Sequence, residues 1–274
     1  MTGKHTVIEP VKGFRLPDFA ELWQYRELLL TLVSRDIRVR YKQTAVGVAW
    51  ILIQPLITMI IFTVIFGRLG KLPSDGKPYA LFTLVALLPW QLFAKSLTQG
   101  SGSLVAMQGV LTKVYFPRIF APLAEVLSGL VDFAISLTLL LVVLVWFRHM
   151  PGWQIMTLPL FVLFAVVAAL AVSLWLAAIN VEYRDVQFAL PFLVQLWMWV
   201  TPVVYPVSMI PEQWRWLIML NPMAGVVEGF RWAVLGTEAP DAFLLSLSLT
   251  TTVIFLIVGL VYFDRCQRTL ADRV

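Results

Sequence analysis

Three ionisable residues, Lys95, Glu125 and Asp132, stand inside otherwise apolar runs of a 274-residue chain. A charge at mid-membrane costs at least ~2.5–3.5 kcal/mol on insertion scales, so such a group needs a partner or water. Lys95 and Glu125 lie at comparable distances on either side of Gly109. A helical hairpin turning there brings them to similar depth and predicts that they pair. Asp132 follows Glu125 by two helical turns and shares its face. Two roles fit these intramembrane charges: a structural ion pair fastening two helices, or the lining of a polar cavity.

A second group is basic. The stretch RDIRVRYKQT places Arg35, Arg38, Arg40 and Lys42 just before the apolar run Ala45–Phe66. Cations beside a span either hold lipid headgroups, at ~1 kcal/mol each, or form an entrance that captures a phosphate-bearing substrate. A third group is aromatic, with Trp90 and Phe93 in one run and Trp197, Trp199 and Tyr205 in another. Such rings anchor a protein at the membrane interface or offer flat faces over which sugar rings slide. In the fourth group, Asn221 is placed to cap a helix that Pro222 starts. Glu228 and Arg231, three residues apart, share a face of that helix.

Patterns for covalent chemistry are weak. Gly67-Arg68-Leu69-Gly70-Lys71 imitates the tail of a phosphate-binding loop but lacks the following Ser or Thr and the spacing. Gly100-Ser101-Gly102-Ser103 ends a span, where small residues favour close helix packing. His5 and His149 fall in loops and Cys266 is the single cysteine, so no metal-binding set is expected.

The elements that position these residues follow from composition. Hydrophobic residues make up 59% of the chain and charged ones 14%, with a mean hydropathy of +0.82; this describes an integral membrane protein. Its Lys and Arg residues are parcelled into short loops, not gathered into a stripe, so nucleic acid is not an expected partner. Six apolar runs are each close to the ~20 residues that cross a bilayer: Ala45–Phe66, one opening at Ala80, Ile119–Phe147, Met156–Ile179, Phe188–Met209 and Ala242–Phe263. The fifth carries Pro191, Pro202 and Pro206 and should be kinked. Residues 18–34 read as an amphipathic interfacial helix, with Asp18 and Glu21 in capping positions. Residues 211–241 read as two short helices dipping in from the external side.

Alternate loops carry fourteen Lys and Arg residues on one side and six on the other, which puts both termini in the cytoplasm. The expected fold is therefore all-α, with six transmembrane helices, an N-terminal interfacial helix and two short external re-entrant helices between spans five and six. Residues 1–44 form the cytoplasmic N-terminal segment, 45–263 the membrane domain and 264–274 the cytoplasmic tail. Residues 1–44 hold many charges and no small-residue cleavage site, so the first span is expected to act as its own anchor.

Four blocks in order, RDIRVRYKQT with Gly47 and the Trp50–Pro55 stretch, VYFPR at 114–118, NVEYRDV at 180–186 and NPMAGVVEGFR at 221–231, give the chain a family likeness. It resembles the permease subunits of ABC-2-type polysaccharide exporters, which move lipid-linked O-antigen, capsule or teichoic acid chains, and among these the O-antigen branch. The likeness runs from about residue 18 to the C-terminus. It implies a half-transporter in the bacterial inner membrane, in which two copies form a channel and two copies of a separate ATPase subunit bind beneath it. ATP and Mg²⁺ then belong to the partner, and this chain needs no cofactor and is not an enzyme. The implied cargo is an undecaprenyl-diphosphate-linked polysaccharide entering beside the basic residues. By the same likeness, the helix over 18–34 and the MQGVLTKVYFPR stretch, with Lys113, Tyr115, Phe116, Pro117 and Arg118, rest on the ATPase. The helices over 211–241 act as an external gate, although a plain interfacial hairpin also fits that segment. Two rivals remain at this stage: an ABC-2 exporter of a small lipid or drug, and a membrane-embedded polyprenyl-phosphate transferase.

Overall fold

A computed structural model describes residues 19–42, 47–111 and 115–273, and every regular element among them is helical. Long apolar segments leave the backbone no water to bond, so the helix, which satisfies its own N–H and C=O groups, is the stable local form. Two helices precede the first span: α1 (Phe19–Gln24) and α2 (Arg26–Lys42). The membrane-length helices begin with α3 (Ala49–Phe62), which a π-helical turn extends to Leu69. The chain continues with α4 (Tyr79–Ala106), the four-residue α5 (Gln108–Leu111), α6 (Phe120–Trp146) and α7 (Leu158–Glu182). Then come α8 (Val186–Val200), α9 (Glu212–Met219), α10 (Pro222–Leu235) and α11 (Ala242–Arg273).

Five of these segments are long and apolar enough to cross a membrane: Ala49–Leu69, Tyr79–Ala106, Phe120–Trp146, Trp153–Glu182 and Ala242–Cys266. The fifth expected span is cut short. Instead of running to Met209 with a kink, its helix stops at Val200, and residues 201–206 continue as irregular backbone. Pro202 explains the stop, because it lacks an N–H and pushes Thr201 out of the helical region; Thr201 has φ −82° and ψ 136°.

α4 is the axis of the bundle. Leu81, Phe82, Leu84, Val85 and Phe93 are fully enclosed, and its neighbours include α6, α7, α10 and α3. The small-residue series Ala165, Ala168, Ala169, Ala171, Ala177 and Ala178 on α7 lets helices approach closely. At Gly259 of α11 a Cβ would come within 2.6 Å of the Ala171 carbonyl oxygen. That contact is backbone to backbone, so only glycine fits.

The N-terminal helix departs from expectation in two ways. It breaks at Tyr25 and then runs on to Lys42, so the basic residues lie on a helix and not on a linker. Asp18 falls outside the described residues. Leu22, Leu28, Leu29, Leu32 and Val33 pack with Leu104, Met107, Phe116 and Phe120 in a second core at the end of the bundle that carries α2. Phe19, Trp23 and Leu30 stay exposed.

Candidate functional site

The intramembrane charges do converge, in a different pairing from the one the sequence predicts. Lys95 Nζ donates to Asp132 Oδ2, not to Glu125. The expected turn at Gly109 misplaces the levels, because α4 ends at Ala106 and α6 starts only at Phe120. Lys95 is thus eleven residues from its helix end and Asp132 twelve from its own, whereas Glu125 is five from it.

Asp132 has two further partners, both from α2. Arg40 Nη1 reaches Oδ2 at 2.6 Å, and the Tyr41 hydroxyl donates to Oδ1. The second Arg40 nitrogen donates to Gln99 Oε1 at 2.8 Å and stands 3.7 Å from Glu125. Asp132 is 6% exposed, and a carboxylate so enclosed costs free energy unless donors surround it. Burial, followed by the bond to Asp132, pushes the Tyr41 phenol up to about 12, which keeps it a donor at physiological pH.

The four basic residues therefore split. Arg40 turns into the bundle, whereas Arg35, Arg38 and Lys42 line a groove of about 480 Å³ on α2 together with Leu30, Thr31 and Ser34. Arg35 holds Asp36 at 2.8 Å. Above Arg40, Tyr41, Lys95 and Asp132 opens a cavity of about 880 Å³ between α3, α4 and α6, walled by Trp50, Gln54 and Gln91 among others.

A second polar assembly closes the far end of the bundle. Arg231 on α10 is 1% exposed and pairs with Glu228 at 3.0 Å, the spacing anticipated from sequence. Its other nitrogen donates to the Val203 carbonyl at 2.9 Å, and its guanidinium stacks on Phe82 with 3.6 Å to the ring centroid. The irregular 201–206 segment owes its burial to such donors, since its carbonyls have no helical partners; the Tyr79 hydroxyl takes the Val204 carbonyl at 2.6 Å. Asn221 caps α10 by accepting from Met223 N at 3.0 Å. Its side chain also accepts from Trp197 Nε1 at 3.0 Å and donates to Thr201 Oγ1 at 2.8 Å. Pro222 takes the first helical position.

The aromatic group divides as well. Trp90 and Phe93 do not face a passage within this chain: at 3% and 0% exposure they are core residues, with Phe93 edge-on to Trp197 at 5.1 Å. They sit on α4, which is surrounded by other helices. Trp199 is 43% exposed and meets Phe62 and Phe66 of the first span at 6.2 and 6.0 Å. Tyr205 donates to the Trp199 and Val200 carbonyls and so closes the end of α8.

Comparison with known proteins places this arrangement. The family described as ABC-2 type transporter matches residues 27–235. The chain belongs to the ABC-2 type transporter family. The matched part of this ABC-2 chain begins in α2 and ends with α10, so it takes in both polar assemblies. Among curated relatives, the O-antigen export system permease protein RfbA of Myxococcus xanthus is 32% identical over 256 residues, 93% of this chain and 98% of the relative. An RfbA of the same description from Klebsiella pneumoniae is 28% identical over 247 residues, 90% and 94% of the two chains. The polysialic acid transport protein KpsM of Escherichia coli is 23% identical over 230 residues, 84% and 89%.

The segment expected to rest on an ATPase is mixed in character in the ABC-2 chain. Lys113 lies outside the described residues. Tyr115 is 75% exposed and donates to Glu21 of α1 at 3.0 Å. Partial desolvation of the hydroxyl, then the bond to the Glu21 carboxylate, raises its phenol above the ordinary range. Phe116 is an anchor, 3% exposed in the second core, with Pro117 and Arg118 half-buried beside it. Sequence reading missed Tyr41 and Gln99 as partners of the charge cluster. The only local signal for them is that both are polar residues bordering apolar runs.

Proposed function

We propose that this chain is the permease subunit of an ATP-driven exporter that carries lipid-linked polysaccharide, an O-antigen in the closest reading, across the bacterial inner membrane. The observation that carries the proposal is the 32% identity to an O-antigen export permease over 93% of this chain and 98% of the relative. A cavity beside the first span with a charged floor of Arg40, Lys95 and Asp132 supports it, because a hydrophilic cargo needs hydrogen-bonding groups along its path through hydrocarbon.

In this reading α8 is the fifth of six spans. Its 15 helical residues, about 22 Å at 1.5 Å per residue, are completed by the buried 201–206 segment, and α9 and α10 form the external gate. Both termini face the cytoplasm, residues 45–263 are one membrane domain, and two copies of the chain enclose the passage. Two copies of a separate ATPase subunit supply the energy and bind ATP and Mg²⁺, docking beneath α1, α2 and the 108–118 segment. The cargo is carried on undecaprenyl diphosphate. Phosphates, of headgroup or cargo, meet the outward-facing Arg35, Arg38 and Lys42.

Deleting the gene, and separately that of the partner ATPase, tests this. Each deletion is expected to abolish surface polymer and to accumulate lipid-linked polymer inside the cell. Polymer that still reaches the surface, with a small lipid or drug retained instead, moves the assignment to the other branch of ABC-2 exporters.

A further inference from the structure

The cavity floor is electrically balanced. Arg40 and Lys95 bring two positive charges, Asp132 and Glu125 two negative ones, and all four lie within one network of contacts. An acidic ligand entering there finds both cations already paired with Asp132. The walls, in contrast, have hydrogen-bonding capacity left over. Among the described residues, the side-chain amides of Gln54 and Gln91 engage no protein group, although Gln54 stands exposed on a span of mean hydropathy 2.3. A cavity-wall amide without a partner keeps its donor and acceptor capacity open. Its occupant must therefore bring donors and acceptors of its own. Trp50, 58% exposed, adds a flat aromatic face at the same mouth. The volume of about 880 Å³ falls within the ~300–1,000 Å³ of small-ligand sites.

Planar amides that bond paired hydroxyls, an aromatic face and no net charge describe a site for a neutral sugar ring. We propose that this cavity binds an uncharged pyranose unit of the cargo and that Asp132 sets this specificity by engaging Arg40 and Lys95, so that neither is free to hold an acidic sugar. The proposal rests on the export reading above and gives it a substrate class.

The test uses the full chain with its partner ATPase in nanodiscs and three photoreactive probes with the diazirine next to the head: an octyl glucoside, an octyl glucuronide and an octyl ether with no sugar. Labelled peptides are mapped by mass spectrometry. The glucoside is expected to label segments 50–54 and 91–99 about tenfold above the other two probes. Asp132→Asn should shift that preference toward the glucuronide by a similar factor. Gln91→Leu, which leaves the charged floor intact, should weaken glucoside labelling alone, and it provides the test if Asp132→Asn does not fold. Equal labelling by the sugar-free ether makes the cavity an acyl pocket, and absent labelling makes it a water pocket; either overturns the inference. So does a glucoside-to-glucuronide ratio near one in the wild type. Polymer export by the gene-deletion strain carrying the wild-type gene is scored in parallel. Failed labelling with export intact removes this inference alone, whereas export that never depended on the gene removes the reading beneath it.

Discussion

Arg40 at the end of α2 places Nη1 2.6 Å from Asp132 Oδ2 in the middle of α6, ninety-two positions later in the chain. The contact ties a helix outside the first span to the interior of the bundle. Lys95 from α4 completes the junction on the same carboxylate, so three helices meet at one buried acid.

That junction predicts strong coupling between Lys95 and Asp132. Residues in one ion-pair network show interaction energies of about 0.5–3 kcal/mol, whereas separated sites add within ~0.5 kcal/mol. A double-mutant cycle of Lys95→Gln with Asp132→Asn should fall in the first range, and one of Lys95→Gln with Glu125→Gln, which meet only through Arg40 and Asp132, should give a smaller coupling. Thermal unfolding of detergent-purified protein reads both. Coupling larger for the Glu125 cycle would restore the pairing that the sequence predicts.

Arg231 should be among the least replaceable residues. Arg231→Ala strands Glu228 and releases the Val203 carbonyl, and breaking a buried pair costs about 3–5 kcal/mol. Arg231→Lys keeps the charge but not the planar fork that serves carboxylate and carbonyl together. Both substitutions should expose a cysteine placed at Thr201 to thiol reagents, Ala more than Lys. Unchanged protection in Arg231→Ala would show that other bonds hold the segment.

Asn221 should tolerate Asp better than Ala. Asp keeps the acceptor for Met223 N and Trp197 Nε1 and loses only the donor to Thr201. Loss of a cap alone costs about 1 kcal/mol, so Asn221→Ala should lower the melting temperature more than Asn221→Asp does.

Tyr41 predicts a pH dependence with a definite sign. Its folded pKa of about 12 exceeds the unfolded value of ~10. The stability linked to the neutral phenol is therefore complete below pH ~10 and declines as pH rises toward 12. Relative to Tyr41→Phe, the wild type should hold a constant stability difference up to pH ~10 and lose ground above it. A difference that changes at neutral pH would mean that another group titrates in the junction.

The sequence by itself determined the membrane setting, the all-helical form, the positions of five spans and the Asn221–Pro222 cap with its Glu228–Arg231 pair. These depend on hydropathy, local propensity and three-residue spacing, which are properties of neighbours along the chain. It also marked Lys95, Glu125 and Asp132 as costly charges in need of company. Which of them pair, the inward turn of Arg40, the joining of Tyr41 and the halt of α8 at Val200 were decided by the tertiary structure alone. Depth in a bundle depends on where each helix ends and how far its neighbours are shifted. A side chain from α2 reaches Asp132 only because Leu28, Leu29 and Leu32 dock that helix against the second core.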